Sequence, residues 1–530
     1  MPNSTQLRSA ARFLQDARGN VAVIFGLACL TLTTGAGIAV DFSRGAHQQT
    51  ALASAVDAAA LAVASSGQTD QTVLEQLAAD YIEKNFPDLK YPGSDIDLDI
   101  EITDNLVRLT ARQVMPTTIL RTVNIETMDL QAFAEVTRRA SGLEVVLVLD
   151  NTGSMNSGGK LASLKTAATE LTNILFGDST VSSAVKVGVV PFSASVNVGP
   201  QYTSATWLDH TGLNPISHLH FSDATKHNSW AWLQLANMDW NGCVEQRKAG
   251  ATIDYDVDDT TPTTGTPDTL FPIYFAPDEP TNSNNASSKS GWGSGFPNSY
   301  LSDWRSNESV SSTTKSNTSL SDRQRRHQKY EGTSPTGAGP AYQCKIGPIT
   351  PLTGTKQTVL DAIDDMIADG GTNIASGVGW GLRVLSPTVP FTEGTAYNDE
   401  DWNKVMIVMT DGENDWGSAL TNMNNSYYGG YGYTSQSLTR LGISFISNRD
   451  AVYNARTAVA CDKVKAASGD PEKPIVVYTI TFGSLASGAG SLMQACATDP
   501  EKYFHAPSNA DLQTVFTDIA TQISDLYLSQ

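Results

Sequence analysis

The sequence predicts an α/β protein: a doubly wound, mostly parallel sheet with a large insertion, preceded by a transmembrane helix and a small α+β module. Three observations predict it. Residues Val21 to Val40 (VAVIFGLACLTLTTGAGIAV) form twenty consecutive positions without a formal charge, about the length of a helix that crosses a bilayer. Further on, VVLVLD, KVGVVPF, KVMIVMTD and PIVVYTITF are continuous apolar runs, as expected of strands covered on both faces. Between these runs the spacing becomes helical. Val359, Ile363 and Met366 mark one face, and Leu512, Phe516, Ile519, Ile523 and Leu526 mark another.

At 530 residues the chain exceeds one ordinary core, so two or three domains are expected. The formal charge of -20 argues against nucleic acid or anionic lipid as the main partner. Arg8, Arg12 and Arg18 precede the apolar segment, which leaves residues 1–20 in the cytoplasm and exports the rest. A cleaved secretory signal is the rival reading. The segment is long for a signal core, and an Ala-rich helical pattern continues past Asp41, so 21–40 reads as an uncleaved anchor.

Beyond the anchor, Leu52, Val56, Ala59 and Val63 continue one helical face, and a second helix over Thr72 to Asn85 should stop before Pro87. DIDLDIEIT, NLVRLTARQV and LQAFAEVT alternate with period two, a small antiparallel sheet. Residues 41–140 therefore form a modest α+β module on the membrane. The α/β domain occupies 142–530 and is interrupted at about 200–350. The first part of that insertion holds Trp207, Trp230, Trp232 and Trp240, enough for a small core. Residues 281–339 are rich in Ser, Asn and Gly and are expected to be a disordered surface loop. NNSYYGGYGYTSQS at 424–437 reads as a second loop. Cys29 lies in the anchor. Cys243, Cys344, Cys461 and Cys496 are exported and are disulfide candidates. Three pairings are open, of which Cys243 with Cys344 and Cys461 with Cys496 would staple each region locally; four buried thiols are the bland alternative.

Ligands of open α/β sheets bind beyond the carboxyl ends of strands. Asp150 closes the first strand and is followed by Thr152 and Ser154; Asp411 closes a later strand; Thr372 sits in a glycine-flanked turn, GGTNIAS. Two carboxylates and three hydroxyls suit one hard cation, Mg2+ or Mn2+. The hydroxyls would coordinate directly, while Asp150 and Asp411 hold coordinated waters and supply charge. An open position would attract an acidic side chain from a protein partner. DNTGS alone is an ordinary turn and TDG an ordinary strand ending; their combination in order favours a metal site. DYDVDD at 254–259 lacks the glycine and glutamate of a calcium loop and reads as a solvated turn. His218 and His220 have no third zinc ligand in view. The tryptophans, Trp380 included, read as core before glycan platforms.

Asp150-Asn151-Thr152-Gly153-Ser154, with Thr372 and the TDG at Asp411, resembles the metal-ion-dependent adhesion site (MIDAS) of von Willebrand factor type A domains. That family usually has Asp-x-Ser-x-Ser; Thr152 keeps the oxygen and adds a methyl. The resemblance covers about 142–199 and 350–530 and implies the doubly wound fold. RGNVAVIF, AVDAAALA, WNGCVEQR at 240–247 and GWGLRVLSP at 379–387 together resemble TadG-type (TadE/TadG-like) proteins of tight-adherence (Flp) pilus assembly. Ile24 stands where processed pilin-like relatives carry glutamate, so processing after Gly19 is not expected. The resemblance implies a single-pass protein of the bacterial inner membrane with a pilin-like stalk over 41–140. Its bulk would be periplasmic or surface-exposed, binding pilus or envelope components in assembly or adhesion, without enzymatic activity. The alternatives are a metal-dependent envelope chaperone and a magnesium-assisted hydrolase. No GxSxG, HExxH or P-loop pattern supports the latter.

Overall fold

The structure is a computed structural model that describes residues 20–528 apart from 67–70, 87–95, 104–105, 138–141, 223–227, 251, 281–295, 297, 332–338, 418–422, 425, 434–439, 442–448, 472 and 485–487. The chain divides into two compact units, 1–140 and 141–530.

The first unit is built on one helix, α1 (Asn20–Ser65). Its first half presents apolar side chains outward: Val21 is 73% and Leu32 74% exposed. It is long and apolar enough to cross a membrane by length and composition. Its second half instead buries Leu52, Val56, Ala59 and Val63 against α2 (Gln71–Asn85), through Leu74, Ala78 and Ile82. A three-stranded antiparallel sheet, β1 (Ile96–Thr103), β2 (Leu106–Pro116) and β3 (Thr127–Thr137), closes this core. Asp41 joins helix to sheet: its buried carboxylate accepts from the backbone N–H of Thr118, Ile119 and Leu120 at 3.1, 2.6 and 2.8 Å. It thereby satisfies the orphan donors that open the 3-10 turn Leu120–Val123.

The second unit is a mixed α/β fold. Among the described residues, and apart from short helices in the insertion, its elements in order are β4 (Gly142–Asp150), α3 (Lys160–Phe176), β5 (Val185–Phe192), β6 (Val196–Asn197), β7 (Cys243–Val244), β8 (Thr350–Thr353), α4 (Lys356–Asp364), α5 (Ile374–Leu385), β9 (Trp402–Thr410), α6 (Arg449–Ala466), β10 (Val476–Phe482), α7 (Ala489–Cys496), β11 (Tyr503–Ala506) and α8 (Asn509–Leu528). The main sheet runs β11-β10-β9-β4-β5-β8. Its neighbours are parallel except β8, which lies antiparallel to β5 at the edge. All nine residues of β4 are buried. Val145, Leu147 and Leu149 pack with α3, α4 and α8 on one face; Val146 and Val148 pack with α5 and α6 on the other. A strand walled on both sides needs apolar residues at every position, which is why these runs do not alternate.

The insertion extends the α5 face. Trp207, Trp232, Trp240, Phe271 and Phe275 join Trp380, Val146 and Val190 in one core. The expectation of a disordered 281–339 fails over 298–331, where short helices Ser312–Asn317 and Leu320–Gln324 are capped by Ser311 and Ser319. Tyr300, Trp304 and Tyr330 are buried there, and Lys329 pairs with Asp278 at 2.8 Å, both inaccessible to solvent. Composition misled because the serines serve as helix caps and a few aromatics supply the anchor. Residues 281–295 and 332–338 lie outside the described residues. In the 424–437 tract, Tyr428, Tyr431 and Tyr433 are fully buried, so this loop is packed as well; 425 and 434–437 are outside the described residues.

The acidic turn is not solvated. Arg456 from α6 bonds Asp256 at 2.6 Å and Asp254 at 2.9 Å, Arg247 bonds Asp258 at 3.1 Å, and Ser386 and Tyr397 bond Asp259 at 2.9 and 2.7 Å. The Arg456 bonds fasten the insertion to α6 and the Asp259 bonds fasten it to the segment that follows α5, while Arg247–Asp258 closes the turn on the insertion itself. Disulfides join Cys243 to Cys344 within the insertion and Cys461 of α6 to Cys496 of α7.

Candidate metal centre

β4 and β9 run parallel and side by side with Leu149 opposite Met409, so Asp150 and Thr410–Asp411 leave the sheet together. Asp150 accepts on one oxygen from the Thr152 N–H at 2.8 Å. On the other it accepts from the Thr410 hydroxyl at 2.7 Å and the Asp411 N–H at 3.3 Å. Thr152 stands just before the 3-10 turn Gly153–Asn156, with its Oγ1 2.9 Å from Ser154 Oγ. Ser154 Oγ in turn donates to Asp411 Oδ1 at 2.6 Å. Asp150, Thr152, Ser154 and Asp411 thus form one hydrogen-bonded chain across two strand ends.

Thr372 reaches the same edge through its backbone. The Gly153 N–H donates to the Gly370 carbonyl at 2.9 Å, and Thr372 exchanges both backbone hydrogen bonds with Asp415, four residues past Asp411. The glycines before Thr372 are required. Gly370 has φ +87°, and a Cβ on Gly371 would stand 2.5 Å from the Asp415 carbonyl oxygen.

Two side chains that the sequence reading passed over complete the arrangement. Thr410 is the hydroxyl donor to Asp150. Lys160, the first residue of α3, donates from Nζ to Asp411 Oδ2 at 2.7 Å. Lys160 carried a usable signal: a cation at a helix N-terminus opposes the helix dipole and therefore calls for a nearby anion. Elsewhere, His218 bonds the Gly212 carbonyl, and His220 bonds Tyr428 within a buried cluster that includes Glu245 and Arg440.

The donor set fits a hard divalent cation. Every side-chain donor of the five candidates is oxygen. Burial, and next the charge of Asp411, push the Asp150 carboxyl up to about 6, while the hydrogen bonds from Thr152 and Thr410 act in the opposite direction. Two neighbouring carboxylates in a dry rim are short of positive charge, which such an ion would supply. Among the described residues no group of three or more His, Cys, Asp or Glu gathers as a metal site, so binding here would depend on the hydroxyls.

Comparisons with known proteins bear on the two units separately. Residues 19–66 match the family described as Flp pilus-assembly TadE/G-like. The match ends with α1, and the remainder of the chain lies outside it. No curated protein matches the chain. Among solved structures, the chain is similar to the vWF domain of the type V pili tip protein Mfa5 from Porphyromonas gingivalis, at 11% identity and TM-score 0.32, covering 72% of this chain and 95% of that one. It is similar to the pilus adhesin SpaC from Lactobacillus rhamnosus GG at 12% identity and TM-score 0.31, over 82% of this chain and 35% of SpaC. The pilus adhesin RrgA from Streptococcus pneumoniae gives 10% identity and TM-score 0.28, over 82% and 49%. The chain thus spans about a third of the length of SpaC. At these scores the structural likenesses carry no argument about the site.

Proposed function

We propose that this chain is a single-pass, membrane-anchored protein of Flp pilus assembly or adhesion, with its bulk exported. Its second unit is a doubly wound von Willebrand A-type domain that captures an acidic side chain of a pilus or envelope protein through one divalent ion, Mg2+ or Mn2+. The observation that carries the reading is the Ser154–Asp411 hydrogen bond, which unites the motif after β4 with the motif after β9. The TadE/G-like match over 19–66 supports the anchor and the pilus context.

In this reading Thr152, Ser154 and Thr372 offer hydroxyl oxygens, while Asp150 and Asp411 supply charge and hold coordinated waters. When bound, the ion supplies an electrophilic position for a visiting carboxylate oxygen. Thr410 and the Asp411 N–H orient Asp150, and the backbone link between Thr372 and Asp415 fixes the third loop. The role is non-enzymatic.

The test is capture from an envelope extract by the full chain in detergent, with Mg2+ and with chelator, beside Mn2+ titration of Ser154→Ala and Asp411→Asn. Metal-dependent capture that both variants lose is expected. Equal capture under chelator, or no Mn2+ uptake by a folded sample, rejects the proposal.

A further inference from the structure

Lys160 is out of place for a helix and well placed for the metal centre. It opens α3, where the free N–H groups already make the helix end positive, and no acidic residue stands in that first turn. Gly158 and Gly159 precede it with φ +63° and +70°, a left-handed pair that turns the chain from the site loop into the helix. Its ammonium lies 2.7 Å from Asp411 Oδ2. The Asp411 side chain is 2% exposed and that of Lys160 26%, so the pair spans the boundary between the rim and solvent. The lysine stem runs past Gly483, also left-handed at φ +78°; a Cβ there would stand 3.6 Å from Cε. The one carboxylate thus holds Ser154 on Oδ1 and Lys160 on Oδ2.

We propose that Lys160 is the resident counter-ion of this site, competing with a divalent ion for Asp411 and adding positive charge at the rim when that ion is bound. The inference rests on the metal-centre reading. Its logic is charge balance. By formal charge, two carboxylates, Asp150 and Asp411, and one ammonium, Lys160, leave the rim one charge negative without an ion. A divalent ion then makes it one charge positive, a state that attracts a carboxylate. Without Lys160, the same ion would give a neutral rim with little pull on a partner's acid. Lys160 therefore weakens metal binding and strengthens acid capture, two effects of opposite sign from one side chain.

The test uses the full chain in detergent, with Mn2+ as the metal and acetate as the carboxylate. Free Mn2+ is read by electron paramagnetic resonance, and acetate binding by its change in the bound-Mn2+ spectrum. Lys160→Met is expected to bind Mn2+ about tenfold or more tighter than the natural chain and to bind acetate more weakly once loaded. Lys160→Arg, which keeps the charge, should stay near the natural chain in both. Thermal melts of all three confirm folding before titration. Unchanged Mn2+ affinity in Lys160→Met overturns the counter-ion role while leaving the metal centre standing, and tighter Mn2+ with undiminished acetate binding overturns it too. Mn2+ uptake by none of the folded proteins overturns the metal centre itself and the inference with it.

Discussion

Asp150→Asn isolates the charge at the rim. The folded carboxyl titrates at about 6 against an ordinary 3.8, so folding favours its protonated form. A raised carboxyl pKa contributes stability below about pH 4 that is lost as pH rises through about 6. The difference amounts to about 3 kcal/mol at 1.36 kcal/mol per pH unit, or about 4 °C of Tm over the 141–530 unit. Asparagine removes this penalty. It also weakens the reception of Thr410 and Asp411, although the Thr410 hydroxyl keeps the Gly412 carbonyl at 3.1 Å as an alternative acceptor. In chelator, the Tm of the natural chain minus that of the variant should fall by several degrees from about pH 4 to about pH 7. In saturating Mn2+ the natural chain should recover its advantage. All nine tryptophans lie in the 141–530 unit, so their fluorescence reads this melt alone. Parallel pH profiles in chelator would refute the argument that Asp150 is a buried, charge-crowded carboxylate.

Three other substitutions probe the interior of each unit by itself. Asp41→Ala removes the acceptor of three backbone N–H groups and should cost the first unit about 1–3 kcal/mol; hydrogen exchange at 118–120 should quicken, and unchanged protection would count against the cap. Arg456→Ala leaves the buried Asp256 carboxylate with the Tyr431 hydroxyl but without its paired cation, while Asp254 keeps Lys463, and should cost about 3 kcal/mol, read from the same tryptophan melt; a shift under 1 °C would show the pair to be dispensable. Cys461→Ser opens a disulfide closing a sequence separation of 35 and should cost about 4 kcal/mol, with the denaturant midpoint as readout and reduction of the natural chain as the control that must lower it.

The parts of this protein that were legible in the sequence are those where one strong local rule acts. An unbroken apolar run of twenty has few fates other than lipid or a deep core, and strands buried on both faces cannot avoid reading as apolar runs. Asp150, Thr152 and Ser154 are separated by single residues, so their nearness needed no tertiary information. The insertion was misread for the opposite reason. Ser311 and Ser319 look like linker residues until they are seen capping helices, and the Asp254–Asp259 turn looks solvated until Arg456, some two hundred positions away, closes on it.

Local chemistry alone determined that this chain has an apolar segment able to enter a bilayer, a small α+β unit, and a larger unit of alternating strands and helices whose strand ends carry acids and alcohols. The tertiary fold decided which of those ends meet. Asp150 and Asp411 are neighbours because β4 and β9 pair in parallel with Leu149 facing Met409, and Lys160 joins them because a left-handed glycine pair swings α3 over the rim. Strand order and register are set by long-range pairing, which sequence spacing does not encode.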